Sequence, residues 1–333
     1  MNRRSFIQLA TTSLASTTFQ MKAEPVQPQN TSIPRLGLVV KVTKGGTAED
    51  TIRHVYDLGI PTCQIYFDEL SMSQTAPLLA ATKKYDVQVS ALSEHKPGPR
   101  IFDFYQGPQT IGIVPSKYRR ERIDALKFAA DFAKTCGIPS IHTHLGFIPE
   151  DPNDSLYESA ITAIKEVAQH CKEQGIMLLC ETGEETPITM LRMIQDVGTG
   201  NVFVNLDTAN LILYGKGNPV DAMDVFGHLV RGTHMKDGLF PKNPRDLGEE
   251  VPIGTGKVDF PTLFRRLRDV NYTRTITIER EISGPQQIAD IKLSKLYLQD
   301  LIDNTFRDPK RNPPTARELE LQKKRKAIPA AER

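Results

Sequence analysis

The stretch RGTHMKDG, Arg231 to Gly238, decides how the fold is read. It lies in VRGTHMK (230–236), which reads as a short buried strand, and it places a histidine, a lysine and an aspartate where that strand ends. A single histidine in such a position is most often a hydrogen-bonded core or loop residue. Three more short apolar runs end in the same manner, however. LLCETGEE (178–185) turns polar at Glu181, VNLDTANL (204–211) at Asp207 and TITIERE (275–281) at Glu279. Each step between these groups is about one strand-plus-helix unit, the last enlarged by a loop.

The same alternation runs through the chain from Leu36. LGLVVKV, TCQIYFD, VQVSALS and SIHTHLG supply four earlier strands, giving eight with the run IMLLCET and the three above. Between them lie amphipathic segments with apolar residues at three- and four-residue steps, which predict helices. YRRERIDALKFAADFAKTCG ends on Gly137 as C-cap, and DSLYESAITAIKEVAQHCKEQG runs from Asp154 as N-cap to Gly175. Asp259 opens a further helix, with Pro261 in its first turn, where a missing N–H costs little. Eight strands, each followed by a helix, predict an α/β fold of the closed (β/α)8 TIM-barrel type. A doubly wound sheet uses the same alternation, but its G-x-G-x-x-G after the first strand is absent, and IGTG (253–256) follows a loop. That segment reads as a turn before a helix. KPGPRIFDFYQGPQTIGIVP (96–115) reads as a long loop over the barrel mouth.

Composition narrows the class. The 39% hydrophobic and 25% charged content is that of a globular chain, and a net charge of +2 gives no reason to expect nucleic acid as partner. Four cysteines (Cys63, Cys136, Cys171, Cys180) lack metal-finger spacing and are expected as buried free thiols. The opening MNRRSFIQLATTSLASTTFQ has an arginine pair before a weakly apolar run, the pattern of a bacterial twin-arginine export signal, so residues 1–23 are read as a signal and a periplasmic location is expected. Residues 24–34 form a Pro-rich linker, 35–306 the barrel and 307–333 a charged C-terminal extension. No segment is apolar and long enough to span a bilayer.

In a TIM barrel, function is built where strands end. Four consecutive strands therefore bring Glu181, Asp207, His234 and Glu279 to one rim. Three carboxylates and one imidazole suit one divalent cation such as Mn²⁺, Mg²⁺, Co²⁺ or Zn²⁺. Without a cation between them, at least one of three such carboxylates would hold a proton. Each residue alone has a structural reading as loop acid, helix cap, core histidine or salt-bridge partner. Their shared phase favours a site.

The endings E-T, L-D-T-A-N-L, H-M-K-D and I-E, with VPIGTGKVDF (251–260) after the histidine strand, resemble the xylose isomerase-like superfamily of TIM barrels, in its sugar isomerase/epimerase branch. The resemblance runs from Leu36 to about Phe306. It implies that Glu181, Asp207, His234 and Glu279 hold the catalytic metal and that Glu181 and Glu279 transfer protons. The implied activity is isomerisation or epimerisation of a small carbohydrate through an enediolate, in an enzyme that by analogy with related barrels is a homo-oligomer. Two departures stand out. Asn210 occupies the place where ketohexose epimerases carry a histidine, and Phe240 the place of an arginine. Asn210, His144 and Lys236 are the candidate substrate contacts. His142 and His144 share one face of the fourth strand, and Lys236 lies at the phase of His234. Glu184 and Glu185 are read as supporting or solvent-facing acids. His95, Lys96 and Arg100 follow the third strand within reach of a substrate, and nothing in the sequence selects among them. Alternatives are a lyase or dehydratase acting on keto-sugars or 3-keto-glycosides, a DNA-repair (AP) endonuclease, and a sugar-binding protein without turnover.

Overall fold

The computed structural model describes residues 33–316, 319, 320 and 323. The export-signal reading of 1–23 and nearly all of the linker lie outside these described residues. Eight parallel strands close into a barrel: β1 (Arg35–Val42), β2 (Thr62–Phe67), β3 (Gln88–Ser93), β4 (Ser140–Thr143), β5 (Met177–Glu181), β6 (Val202–Asp207), β7 (Val230–Met235) and, later in the chain, β10 (Thr275–Ile278). The barrel closes because β1 pairs with both β2 and β10. The expected (β/α)8 fold is present.

The helices between these strands are α1 (Ala48–Asp57), α2 (Thr75–Tyr85), the single turn α3 (Gly107–Thr110), α4 (Arg119–Cys136), α5 (Ser155–Gln174), α6 (Pro187–Val197), the single turn α7 (Asn210–Leu213), α8 (Pro219–Phe226), α9 (Phe260–Asp269) and α10 (Pro285–Ile302). Their limits follow from local chemistry. Asp154 accepts from Leu156 N at the start of α5, and Asp259 accepts from Thr262 N at the start of α9. Gly137 and Gly175 end α4 and α5 in the left-handed region, where a side chain would be strained. Among the described residues, no helix is long and apolar enough to cross a membrane.

The apolar core lies between strands and helices, built from Ile65, Phe132, Ile164, Phe226, Phe264 and their neighbours. The barrel interior is different. Thr62, Gln64, Asn205 and Thr277 are buried there, and the Gln64 amide donates to Asn205 Oδ1 from β2 to β6 at 3.2 Å. Polar side chains thus fill the axis below the mouth and fix the layer above them.

A two-stranded antiparallel hairpin, β8 (Asp237–Leu239) and β9 (Glu249–Val251), follows β7. The sequence pattern did not announce it. Asp237 explains its geometry. One buried carboxylate accepts the N–H groups of Gly238, Gly254, Gly256 and Val258 at 2.8 to 3.1 Å. A Cβ at Gly256 would overlap that carboxylate, so the second glycine of IGTG leaves room for it. The segment is a turn before a helix, as read.

Candidate active site

The four strand ends do meet. One ligand atom each from Glu181, Asp207, His234 and Glu279 lies within 4.8 Å of the others. Glu181 closes β5, Asp207 closes β6, His234 is the penultimate residue of β7, and Glu279 follows β10, its N–H donating to Met235 O. Register brings them level: Asp207 pairs with His234, and His234 with Thr277. Two threonines pin adjacent strand ends. Thr182 donates to Asp207 O and accepts from Asp207 N, and Thr208 does the same with Lys236. The threonine after each acid in E-T and D-T thus sets the height of the next strand.

His234 Nδ1 lies 3.0 Å from Glu181 Oε1 and 3.2 Å from Glu279 Oε2. Its Nε2 lies 2.9 Å from Gln64 Oε1, an amide oxygen held by the bond to Asn205. Nε2 therefore carries the proton donated to Gln64, and Nδ1 is the atom that faces the carboxylates. Asn210 N donates to Asp207 Oδ1 at 2.8 Å, and its amide reaches Glu181 Oε1 at 3.3 Å. This residue orients two of the acids.

Lys236 is buried and points inward, its Nζ 3.1 Å from Asp207, 3.3 Å from Glu279 and 2.9 Å from Glu281. On β4, His142 and His144 do share a face. His142 Nε2 lies 2.5 Å and His144 Nε2 3.0 Å from Glu181 Oε2. His144 Nδ1 is 2.9 Å from Glu184, which is buried like Glu185 rather than solvent-facing. His142 Nδ1 is held by Ser93 Oγ at 2.8 Å. His95 stacks near both, its ring 5.5 Å from each. Phe240, at the departure from the epimerase pattern, is exposed.

The charges are not independent. Burial pushes Asp207 well above the usual carboxylate range, Glu279 and Glu181 add to this, and Lys236 opposes it. Burial would raise Glu181 too, but His144, His234 and His142 outweigh it and hold this acid well below its ordinary value. Burial likewise disfavours charge on His234, yet Glu279 and Glu181 raise its pKa well above the usual one. Three carboxylates in this space do not all ionise together, the condition a divalent cation relieves. Asp207 Oδ2 and Glu279 Oε2 are also buried, answered by the Lys236 ammonium as ion pairs rather than by well-directed hydrogen bonds. Oxygen-rich donors with one imidazole fit Mg²⁺, Mn²⁺, Co²⁺ or Zn²⁺. His142, Glu181 and His234 form a second, overlapping trio of donors.

Residues 52–301 match the family model described as xylose isomerase-like TIM barrel. The chain belongs to that family. An L-ribulose 3-epimerase from Methylomonas sp. (strain DH-1) is 25% identical over 185 residues, covering 53% of this chain and 58% of that protein. An inosose dehydratase from Geobacillus kaustophilus is 25% identical over 178 residues, covering 47% of this chain and 57% of that protein. The chain thus spans under two thirds of the curated relatives it matches. Among solved structures, a xylose isomerase domain protein from Planctomyces limnophilus superposes with a TM-score of 0.74 at 27% identity, over 83% of this chain and 99% of that one.

Sequence reading placed the four strand-end groups but missed Gln64, which sits inside the apolar-looking TCQIYF. Its signal was a polar side chain at the inward phase of a barrel strand.

Proposed function

We propose that this chain is a divalent-metal-dependent sugar isomerase or epimerase that moves a proton on a carbon next to a carbonyl. One observation carries the reading: Glu181 and Glu279 approach the same imidazole nitrogen from different strands, so two carboxylates flank one small volume. Glu181, Asp207, His234 and Glu279 are the residues that would hold the cation, whose chemistry is to polarise the carbonyl as a Lewis acid. Either glutamate is placed to take the proton. A single base returning it to the neighbouring carbon gives isomerisation; two bases on opposite faces give epimerisation. Lys236, gripped by three carboxylates, places an ammonium beside the oxygen that gains negative charge.

A second reading is elimination of water or of a glycosidic oxygen from the same enolate. His144 favours it, because the imidazole bridges Glu181 and Glu184 and is placed to hand a proton to a departing oxygen. The likeness to an inosose dehydratase supports the same reading. Product analysis separates the two: epimers or aldose–ketose pairs support the first, unsaturated products the second. Glu279→Gln and Glu181→Gln should each lower turnover by at least about 100-fold. Full turnover in both variants would sink either form of the proposal.

A further inference from the structure

The rim above β2 and β3 has no role in the reaction as derived above. It is positively charged, unlike the acidic floor. Lys41 and Lys96 stand 3.7 and 3.8 Å from the same Asp68 carboxylate at the end of β2. Glu94 turns its carboxylate back onto the N–H groups of His95 and Lys96. Arg100 completes the group. It is half-buried, and no hydrogen bond or ion pair engages its guanidinium among the described residues. Three cations against two carboxylates leave one positive charge in excess.

Arg100 is also held in place. The buried Arg122 on α4 donates to the carbonyls of Pro97, Pro99 and Gly112, gripping the loop on both sides of Arg100. Arg119 adds bonds to the carbonyls of Ile113 and Val114. Lys96, four residues earlier, donates to the Asp68 carbonyl, and Phe102, two residues later, sets its ring 5.6 Å from that of His144. The loop therefore carries Arg100 across the mouth between the end of β2 and His144. Its charge acts on Tyr66, Glu94 and His95. Tyr66 lies with Lys41, Glu279 and Glu281 along a cleft of about 780 Å³ that opens beside the acids. With the loop backbone already fixed, gripping a ligand there costs only the ordering of the Arg100 side chain.

We propose that Arg100 marks a subsite for a carboxylate on the substrate, so that the chain acts on a keto-sugar acid rather than a neutral ketose. The inference rests on the function proposed above and names its substrate class. A planar carboxylate matches the guanidinium fork, and its single charge matches the excess at the rim. The reacting carbonyl then lies over Glu181 and Glu279 while the acid end lies under Arg100.

The test is isothermal titration of the Mn²⁺-loaded full chain with D-glucuronate, D-glucose and D-glucose 6-phosphate, for wild type and Arg100→Met. Glucuronate should bind at least about tenfold more tightly than glucose. The variant should lose that preference yet keep its Mn²⁺ affinity, since Arg100 touches no metal-site residue. Equal binding of glucose, a glucuronate preference that survives in Arg100→Met, or tighter binding of the phosphate would each overturn the subsite. A parallel assay follows solvent deuterium into neutral and carboxylated keto-sugars. Exchange that favours the neutral sugars overturns the inference and leaves the proposed chemistry standing. An Arg100-dependent glucuronate preference with no exchange in any sugar upholds the subsite and removes the proposed chemistry instead.

Discussion

Replacing Gln64 with leucine tests how the imidazole is presented. Gln64 Oε1 accepts from His234 Nε2 at 2.9 Å, which leaves Nδ1 to face Glu181 and Glu279. In Gln64→Leu nothing on β2 holds the Nε2 proton, and the neutral ring is free to carry it on Nδ1, where the two glutamates accept it. Outer hydrogen-bond partners of this kind are worth about 10- to 100-fold in metal affinity, or about 1.4–2.7 kcal/mol. Mn²⁺ titration of metal-stripped protein should show a loss in that range. Leucine also removes the donor to Asn205 Oδ1, so a stability cost of about 1–3 kcal/mol accompanies it. Gln64→Glu separates the two effects. It keeps an acceptor for Nε2, and Asn205 Nδ2, which lacks a partner, is available to donate to it after an amide flip. Affinity in Gln64→Glu should stay within a few-fold of wild type. If Gln64→Leu binds Mn²⁺ as wild type does, the tautomer argument is wrong.

Other consequences follow from the same contacts. His234→Ala should lower Mn²⁺ affinity by more than about 100-fold, read by titration and by metal content after dialysis. Because Asp207 and His234 both hold protons above their ordinary ranges, a cation must displace protons to bind. Affinity should therefore fall as pH is lowered from 8 to 5, by about tenfold per unit for each proton displaced, with proton release visible in buffers of different ionisation enthalpy. A pH-independent affinity would contradict the charge assignment. Burial pushes Cys63 and Cys171 up to about 12 and Cys136 to about 11. These thiols should react with iodoacetamide at pH 8 at least about 100-fold more slowly in the native chain than in urea, as peptide mass spectrometry would show. Gly112 has φ +69°, and a Cβ there would overlap the Leu145 carbonyl. Gly112→Ala should cost about 3 kcal/mol in denaturant unfolding, and a cost below about 1 kcal/mol would show that the loop gives way freely.

The barrel was legible because buried parallel strands and amphipathic helices leave different periods in the chain, and caps such as Asp154 and Gly175 mark where one gives way to the other. Glu181, Asp207, His234 and Glu279 were legible for a related reason: an acid or histidine closing an apolar run can only sit at the mouth. What escaped the sequence depends on contacts across the barrel. Gln64 meets His234 from β2, and no local pattern marks the pair. His142 and His144 were seen to share a face, but that the face meets Glu181 depends on the pairing of β4 with β5. The β8–β9 hairpin was missed because one carboxylate, Asp237, organises it through four backbone donors rather than through an apolar repeat. Arg100 was visible only beside His95 and Lys96 as one of three candidates after β3, and the bonds that fix its loop come from Arg122 on the helix that follows.

The central claim is tested most directly by incubating the metal-stripped and the Mn²⁺-reconstituted chain in D₂O with a panel of neutral and carboxylated keto-sugars and following deuterium by mass spectrometry. The account predicts that one carbon beside the carbonyl of at least one sugar gains deuterium with the reconstituted protein, and that the stripped protein exchanges no faster than buffer. Exchange of equal rate without the cation, or none in any sugar once one equivalent of Mn²⁺ is bound, would contradict it.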